Sequence, residues 1–429
     1  MADPSSVVVR PAQNVLGSLR LPGDKSISHR YAMLAALAEG TTHLENFSTG
    51  ADCASTLACM EALGARVTRG AEGVVDIEGR TLQPPARPLD CGNSGSTMRL
   101  LAGILAGQSF SSELVGDASL SRRPMARVAE PLRKMGATIT CGPNDLPPLR
   151  IAGARLRAID YILPLPSAQV KTAVLFAGLL AAGETAVEEP LRTRDHGELA
   201  LRAFGAEVTR LRRRASIRGG QRLRAITARV PGDISSAAFF LCAAALFPDS
   251  NLVIDALGMN PTRAALLDVL AALGARVAVI NLEERHGELV GTVKVEAGAL
   301  KGATIAGAQS AALIDELPVL AAIAPYTKDG IEICDAAELR VKESDRIAAV
   351  ARNLRAMGAQ VEERPDGLRV PGSQPLRGAE VDSAGDHRIA MAFAVAALRA
   401  QGDTLIRGAD AARISFPEFF ALLGAVAQG

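Results

Sequence analysis

The chain has 429 residues, 48% of them hydrophobic, enough for two to three domains with cores of their own. Lys and Arg number 47 against 46 Asp and Glu, a formal net charge of +1, which argues against a basic nucleic-acid module and against an acidic disordered tail. Trp is absent and Tyr occurs only 3 times, so a base-stacking surface is disfavoured.

Along the chain, Met1-Ala2-Asp3-Pro4 places no charged stretch ahead of a long apolar run, and no signal peptide is expected there. Val7-Val8-Val9-Arg10 reads as a first strand. Six polar starts then lead into alanine-rich helices: Asp24-Lys25-Ser26-Ile27-Ser28-His29-Arg30, Asn93-Ser94-Gly95-Ser96-Thr97, Ser167-Ala168-Gln169, Asp233-Ile234-Ser235-Ser236, Asp315-Glu316-Leu317-Pro318 and Asp386-His387-Arg388. Ser, Asp and Asn are the residues that cap helix N-termini. The text behind them is apolar on most faces, as in Tyr31 to Leu37 or Met391 to Leu398, which predicts buried helices. The most apolar stretch, Ala237 to Phe247, is too short to cross a membrane.

Each unit also carries an amphipathic helix ending in one tripeptide: Leu63-Gly64-Ala65, Met135-Gly136-Ala137, Phe204-Gly205-Ala206, Leu273-Gly274-Ala275, Met357-Gly358-Ala359 and Leu423-Gly424-Ala425. Their glycines are 72, 69, 69, 84 and 66 residues apart, a spacing suited to a small βαβ-type unit. Each glycine fits the left-handed position just past a helix end. Six buried helices exceed one ordinary core, so two domains of three units are expected. Residues 20–230 form the inserted domain; residues 1–19 with 231–429 form the other. The last unit reaches Gly429 without a closing strand, which the N-terminal segment is expected to supply.

The polar starts carry more than caps. Lys25, Ser26, His29 and Arg30 crowd one helix start, and His387 with Arg388 crowd another. Cations there oppose the helix dipole. Taken singly, each is ordinarily a solvated surface residue. As a set they make sense if an anion lies between them and the free N–H groups. Arg122-Arg123-Pro124 adds charge, and Arg340 to Arg346 is expected to begin a helix with Lys342 and Arg346 at i, i+4 on one face. Asp315 and Glu343 stand among these cations, where carboxylates can serve as acid and base or simply balance charge. His29, His43, His196, His286 and His387 show no metal-ligand spacing, and the six cysteines (Cys53, Cys59, Cys91, Cys141, Cys242, Cys334) contain no C-x-x-C. No metal, cofactor or disulfide framework is expected, and a cytoplasmic protein is the simplest reading. Gly23-Asp24-Lys25-Ser26 departs from a P-loop, because Asp24 separates the Gly from the Lys.

Leu21 to Arg30, Gly92-Asn93-Ser94-Gly95-Ser96-Thr97-Met98-Arg99, Leu339 to Arg346, Asp386-His387-Arg388 and Ser415-Phe416-Pro417-Glu418 together resemble the signatures of 5-enolpyruvylshikimate-3-phosphate synthases, in order from about residue 20 to 420. The resemblance implies an α/β fold, a two-domain inside-out α/β barrel of six βαβαββ repeats with three per domain. It implies a metal-free transferase that moves the enolpyruvyl group of phosphoenolpyruvate to the 5-hydroxyl of shikimate 3-phosphate, in aromatic amino acid biosynthesis. Carried over by position, Lys25, Gly95, Arg123, Gln169, Arg346 and Arg388 are the phosphoenolpyruvate residues. Lys25, Ser26, Arg30, Ser167, Ala168, Gln169, Asp315 and Lys342 are those for shikimate 3-phosphate. Asp315 is the expected base, and Glu343 with Lys25 the proton donor. Small-molecule substrates are the expected partners, with no nucleic acid or membrane, and a monomer is expected. Three positions depart from the family pattern: Ala168 stands for a second Ser, Ile414 for a Lys and Leu100 for a Pro. These resemble a class often tolerant to glyphosate, whereas Gly95 is typical of sensitive members. The sister UDP-N-acetylglucosamine enolpyruvyl transferase carries a reactive Cys that Asp117-Ala118-Ser119-Leu120-Ser121 lacks. A non-catalytic anion-binding protein would need neither Asp315 nor Glu343.

Overall fold

In the computed structural model, which describes residues 5–429, the chain forms two compact units. One comprises the chain up to Leu21 with Gly232–Glu283 and Leu289–Gly429. The other comprises Pro22–Pro231 and the hairpin tip Glu284–Glu288. Each unit has its own buried apolar cluster.

The Pro22–Pro231 unit holds three four-stranded sheets of one design. In the first, Thr227–Arg229 runs parallel to Thr41–Glu45, which pairs antiparallel with Val75–Glu78, and that strand with Arg66–Arg69. The strands around Ser111–Val115 and around Glu184–Glu188 repeat the same order. Strand residues alternate between buried and exposed, as in Thr41–Glu45, so each sheet turns one face inward. Against those faces lie three helices, α1 (Lys25–Leu37), α2 (Gly95–Ala106) and α3 (Ala168–Leu180), each with ten buried residues. Small residues let them pack closely: a Cβ at Gly103 of α2 would lie 2.2 Å from the Ala173 carbonyl of α3.

The other unit repeats the pattern with helices α4 (Ile234–Ala245), α5 (Leu317–Ile323) and α6 (His387–Ala397). Asn14–Arg20 runs parallel to Asn251–Gly258 and opens its first sheet. The strand that the last repeat lacks is Val7–Val9, which pairs antiparallel with Thr404–Arg407. The chain after the final helix also forms a short strand, Ala427–Gln428, which pairs with Asn14–Val15. Phe416 of the Ser415–Glu418 signature is fully buried, its ring 5.9 Å from those of Phe240 and Phe419. That signature therefore anchors a core.

Five of the six repeat glycines, at 64, 136, 205, 274 and 358, have φ between +90° and +113°, as a helix-ending position requires. Gly424 does not. It lies inside the helix Phe419–Val426, which runs on past it because Leu423 and Val426 keep an apolar side buried. Asp24, Ser94, Ser167, Asp233 and Asp386 each accept a backbone N–H as side-chain caps. The fifth start differs: Glu316 makes no cap bond, and α5 spans only seven residues before a 3₁₀ turn at Ala324–Tyr326.

Candidate active site

In the Pro22–Pro231 unit, the starts of α1, α2 and α3 are tied to one another by side chains. Asp24 accepts from Ile27 N at 3.0 Å, which leaves Lys25 as the first residue of α1. Lys25 Nζ lies 2.8 Å from Asp52 Oδ2 on the outer helix Ala51–Ala62, and both side chains are largely buried. Arg30, one turn on, is only 3% exposed. Its Nη1 donates to Ser26 O at 2.9 Å and its Nη2 to Thr172 Oγ1 of α3 at 3.1 Å. Burial pushes its pKa down to about 10, although Glu198 and Asp24 pull it upward. The guanidinium stays charged at neutral pH, and its buried Nε has no hydrogen-bond partner. A buried cation with a donor to spare is suited to an anion.

Ser94 caps α2, accepting from Thr97 N at 3.0 Å, and Gly95 is its first residue. A Cβ at Gly95 would stand 2.8 Å from Arg99 Nη1 and 3.5 Å from Arg123 Nη1, so the ends of two guanidiniums lie against this glycine. Arg123 Nη2 donates to Asn93 Oδ1 at 2.8 Å and Ser119 Oγ at 3.0 Å. Ser167 caps α3 through Val170 N, Ala168 follows as its first residue, and the Ala168 carbonyl accepts from Thr172 Oγ1 at 2.7 Å. Gln169 bridges back to α2: Arg99 Nη1 donates to its Oε1 at 2.8 Å, and its Nε2 donates to Ser96 Oγ at 2.9 Å.

The structure thus gathers Lys25, Ser26, Arg30, Gly95, Ser167, Ala168 and Gln169 on three adjoining helix starts, and Arg123 reaches the start of α2 from the end of the 3₁₀ turn Leu120–Arg122. Sequence reasoning missed Asp52, Ser96, Arg99 and Thr172, which hold them. For Arg99 a signal was available, since it stands four residues after Gly95 on one helix and so covers it.

The second cluster belongs to the other unit. Asp315 precedes α5, and three cations meet at its Oδ1: Arg346 Nη1 at 3.5 Å, Arg388 Nε at 3.8 Å and Lys342 Nζ at 3.9 Å. Arg388 Nη1 also donates to the Asp315 carbonyl at 2.9 Å. The expected i, i+4 pair of Lys342 and Arg346 does not exist. Asp345 caps the helix Arg346–Ala356 through Ala348 N, so Lys342 and Glu343 lie ahead of it. Lys342 and Arg346 are brought together by Asp315 instead. Arg346 is 1% exposed; its Nε donates to Asp386 Oδ2 at 2.8 Å and its Nη2 to Glu343 Oε2 at 2.6 Å. Burial opposes its charge, yet Asp386, Glu343 and Asp315 outweigh burial and raise its pKa above the ordinary arginine value. Its buried Nη1 makes no hydrogen bond. Three cations are matched here by the carboxylates of Asp315, Glu343 and Asp386, so this cluster is balanced.

Among the described residues, no group of three or more His, Cys, Asp or Glu stands ready to hold a metal ion, and no helix is long and apolar enough to cross a membrane. The six cysteines are unbridged.

A family model described as EPSP synthase (3-phosphoshikimate 1-carboxyvinyltransferase) matches residues 9–423. A 3-phosphoshikimate 1-carboxyvinyltransferase of Koribacter versatilis is 65% identical over 425 residues, covering 99% of each chain. One of Solibacter usitatus is 56% identical over 422 residues, covering 98% of this chain and 99% of that protein. Among solved structures, EPSP synthase from Acinetobacter baumannii superposes with a TM-score of 0.88 at 41% identity, covering 98% of each chain. The enolpyruvyl transferase NikO from Streptomyces tendae shares the fold, with a TM-score of 0.77 at 19% identity over 98% of this chain and 97% of that one. This chain, matched over nearly its whole length, belongs to the EPSP synthase (3-phosphoshikimate 1-carboxyvinyltransferase) family.

Proposed function

We propose that this protein transfers the enolpyruvyl group of phosphoenolpyruvate to the 5-hydroxyl of shikimate 3-phosphate and releases phosphate, and that both residue clusters serve this one reaction. The observation that carries the reading beyond anion binding is Asp315, one carboxylate within 4 Å of Lys342, Arg346 and Arg388. In a protein that only held anions this carboxylate would balance charge and compete with the ligand, whereas the transfer needs a base at that place.

Lys25, Ser26, Arg30, Ser167, Ala168, Gln169, Asp315 and Lys342 are assigned to shikimate 3-phosphate. Lys25, Gly95, Arg123, Gln169, Arg346 and Arg388 are assigned to phosphoenolpyruvate. Asp315 takes the proton of the 5-hydroxyl as that oxygen bonds to C2 of phosphoenolpyruvate. Glu343, with Lys25, gives a proton to the C3 methylene, which becomes a methyl. The bond from C2 to the phosphate oxygen then breaks. Glu343 takes a methyl proton back, the double bond re-forms, and Asp315 returns its proton to the leaving phosphate. Substrate anions that bind Lys342, Arg346 and Arg388 draw those cations from Asp315, which makes its carboxylate available to the 5-hydroxyl.

Phosphate release that needs both substrates together tests the reading. Release from phosphoenolpyruvate alone, or with UDP-N-acetylglucosamine in place of shikimate 3-phosphate, would refute it. A cytoplasmic monomer remains our assignment; six unbridged thiols fit a reducing compartment.

Arg388→Ala removes a charge-assisted contact to phosphoenolpyruvate and also the hydrogen bond to the Asp315 backbone. The KM for phosphoenolpyruvate is expected to rise about 10-fold or more, with a smaller fall in kcat. A rise in KM for shikimate 3-phosphate alone would show that Arg388 is assigned to the wrong substrate.

A further inference from the structure

Behind the first cluster runs a buried chain of hydrogen bonds that no step above uses. His29 Nδ1 lies 2.6 Å from Thr56 Oγ1, Thr56 Oγ1 lies 2.7 Å from Thr97 Oγ1, and Thr97 Oγ1 donates to Ser94 Oγ at 2.8 Å. These four residues are at most 1% exposed. They sit on α1, the outer helix Ala51–Ala62, α2 and the cap of α2.

The direction of the chain follows from its acceptors. The Thr97 hydroxyl has one proton, and the two groups that it is placed to donate to, Ser94 Oγ at 2.8 Å and the Asp52 carbonyl at 3.4 Å, leave none for Thr56. Thr97 oxygen therefore accepts from Thr56, and Thr56 accepts from His29. The Nδ1 of His29 then carries a proton. Burial, then the nearby charges of Lys25 and Arg30, hold the pKa of His29 well below the ordinary histidine value.

Both ends of the chain return to assigned residues. Thr97 and Ser94 lie at the start of α2, where Gly95 stands. The Asp52 whose carbonyl the Thr97 hydroxyl approaches holds Lys25 through its carboxylate at 2.8 Å, and Lys25 precedes His29 by one turn of α1. His29 Nε2 is buried without a partner, so the network is satisfied only from Nδ1 onward; from there each hydroxyl is held by its neighbours, which restricts the arrangement of the helices more than apolar packing would. We propose that His29, Thr56 and Thr97 are positioning residues that lock the start of α2 against α1, and so set the separation of Gly95 from Lys25 and the fit of phosphoenolpyruvate. The inference rests on the assignment of Gly95 to that substrate.

The test compares Thr97→Val, which keeps shape and loses the hydroxyl, with Thr97→Ser, which keeps the hydroxyl. KM for each substrate, kcat and Tm are measured, with Gly95→Ala as a separate arm. Thr97→Val is expected to raise the KM for phosphoenolpyruvate about 5- to 30-fold, with the KM for shikimate 3-phosphate within about 2-fold of the wild type. Thr97→Ser is expected to recover most of the loss. The double variant Thr97→Val/His29→Leu should be little worse than Thr97→Val alone, because both cut one chain. A lower Tm with unchanged KM values, equal rises for both substrates, or no rescue by Ser would each overturn the proposal. If Thr97→Val does not fold, Thr56→Ala against Thr56→Ser asks the same question in mid-chain. Should Gly95→Ala leave the KM for phosphoenolpyruvate unchanged, the assignment of Gly95 fails instead, which separates the two errors.

Discussion

Replacing Asp315 with Asn is expected to lower kcat by about 10²- to 10⁴-fold, the range for loss of a general base. The amide keeps the shape of the carboxylate, and the Arg388 bond to the Asp315 backbone is untouched. The charge that Lys342, Arg346 and Arg388 share is lost. Those cations then face an anionic substrate with less competition, so the KM for shikimate 3-phosphate should stay within a few-fold of the wild type or fall. Steady-state kinetics with each substrate varied decides the matter. Near-normal kcat would remove Asp315 from proton transfer. A large rise in KM at unchanged kcat would leave Asp315 a binding residue only.

Arg346→Met should be the most destabilising of these changes. The guanidinium is buried among Asp386, Glu343 and Asp315, and Asp386 is itself fully buried. Removing one partner of a buried ionic network leaves the others uncompensated, at a cost of about 3–5 kcal/mol. The pH dependence has a definite sign. Without Arg346 the negative charges of Asp386, Glu343 and Asp315 lose their shared counter-charge in the folded state. The deficit is then largest where the carboxylates are ionised, and it shrinks as pH falls and they take up protons. Thermal or urea unfolding of both proteins at pH 8 and pH 5 measures it. A deficit that is equal at the two pH values, or below about 1 kcal/mol, would mean that the network contributes little. Arg346→Lys should rescue only in part, because a point charge cannot reproduce the fork that spans Asp386 and Glu343.

Part of the fold and of the site is legible in the amino-acid sequence. Asp24, Ser94, Ser167, Asp233 and Asp386 cap helices in the structure, and the glycines at 64, 136, 205, 274 and 358 end them. Those choices are local: a cap needs an oxygen one turn from a free N–H, and a left-handed position penalises a Cβ. The same local rule misled at Gly424, where burial of Leu423 and Val426 outweighs the glycine and the helix continues. It misled again at Lys342, which the chain places ahead of the helix begun by Arg346. Helical spacing assumes a helix, and the Asp345 cap begins this one three residues later than Lys342.

Residue order alone dictates which residues carry charge at the helix starts, how often the unit repeats, and which long signatures match a known family. Each is a property of the chain in order, written in residue type and spacing. What those charges meet is set by the packing of the folded chain. Asp315 and Arg388 are 73 residues apart and Arg99 and Gln169 are 70 apart, yet each pair is in hydrogen-bond contact. The direction of the His29 chain likewise depends on Thr56 and Thr97, which come from two other helices. Such contacts arise where buried helices pack against one another, and packing depends on the shapes of many side chains at once. No spacing along the chain encodes them.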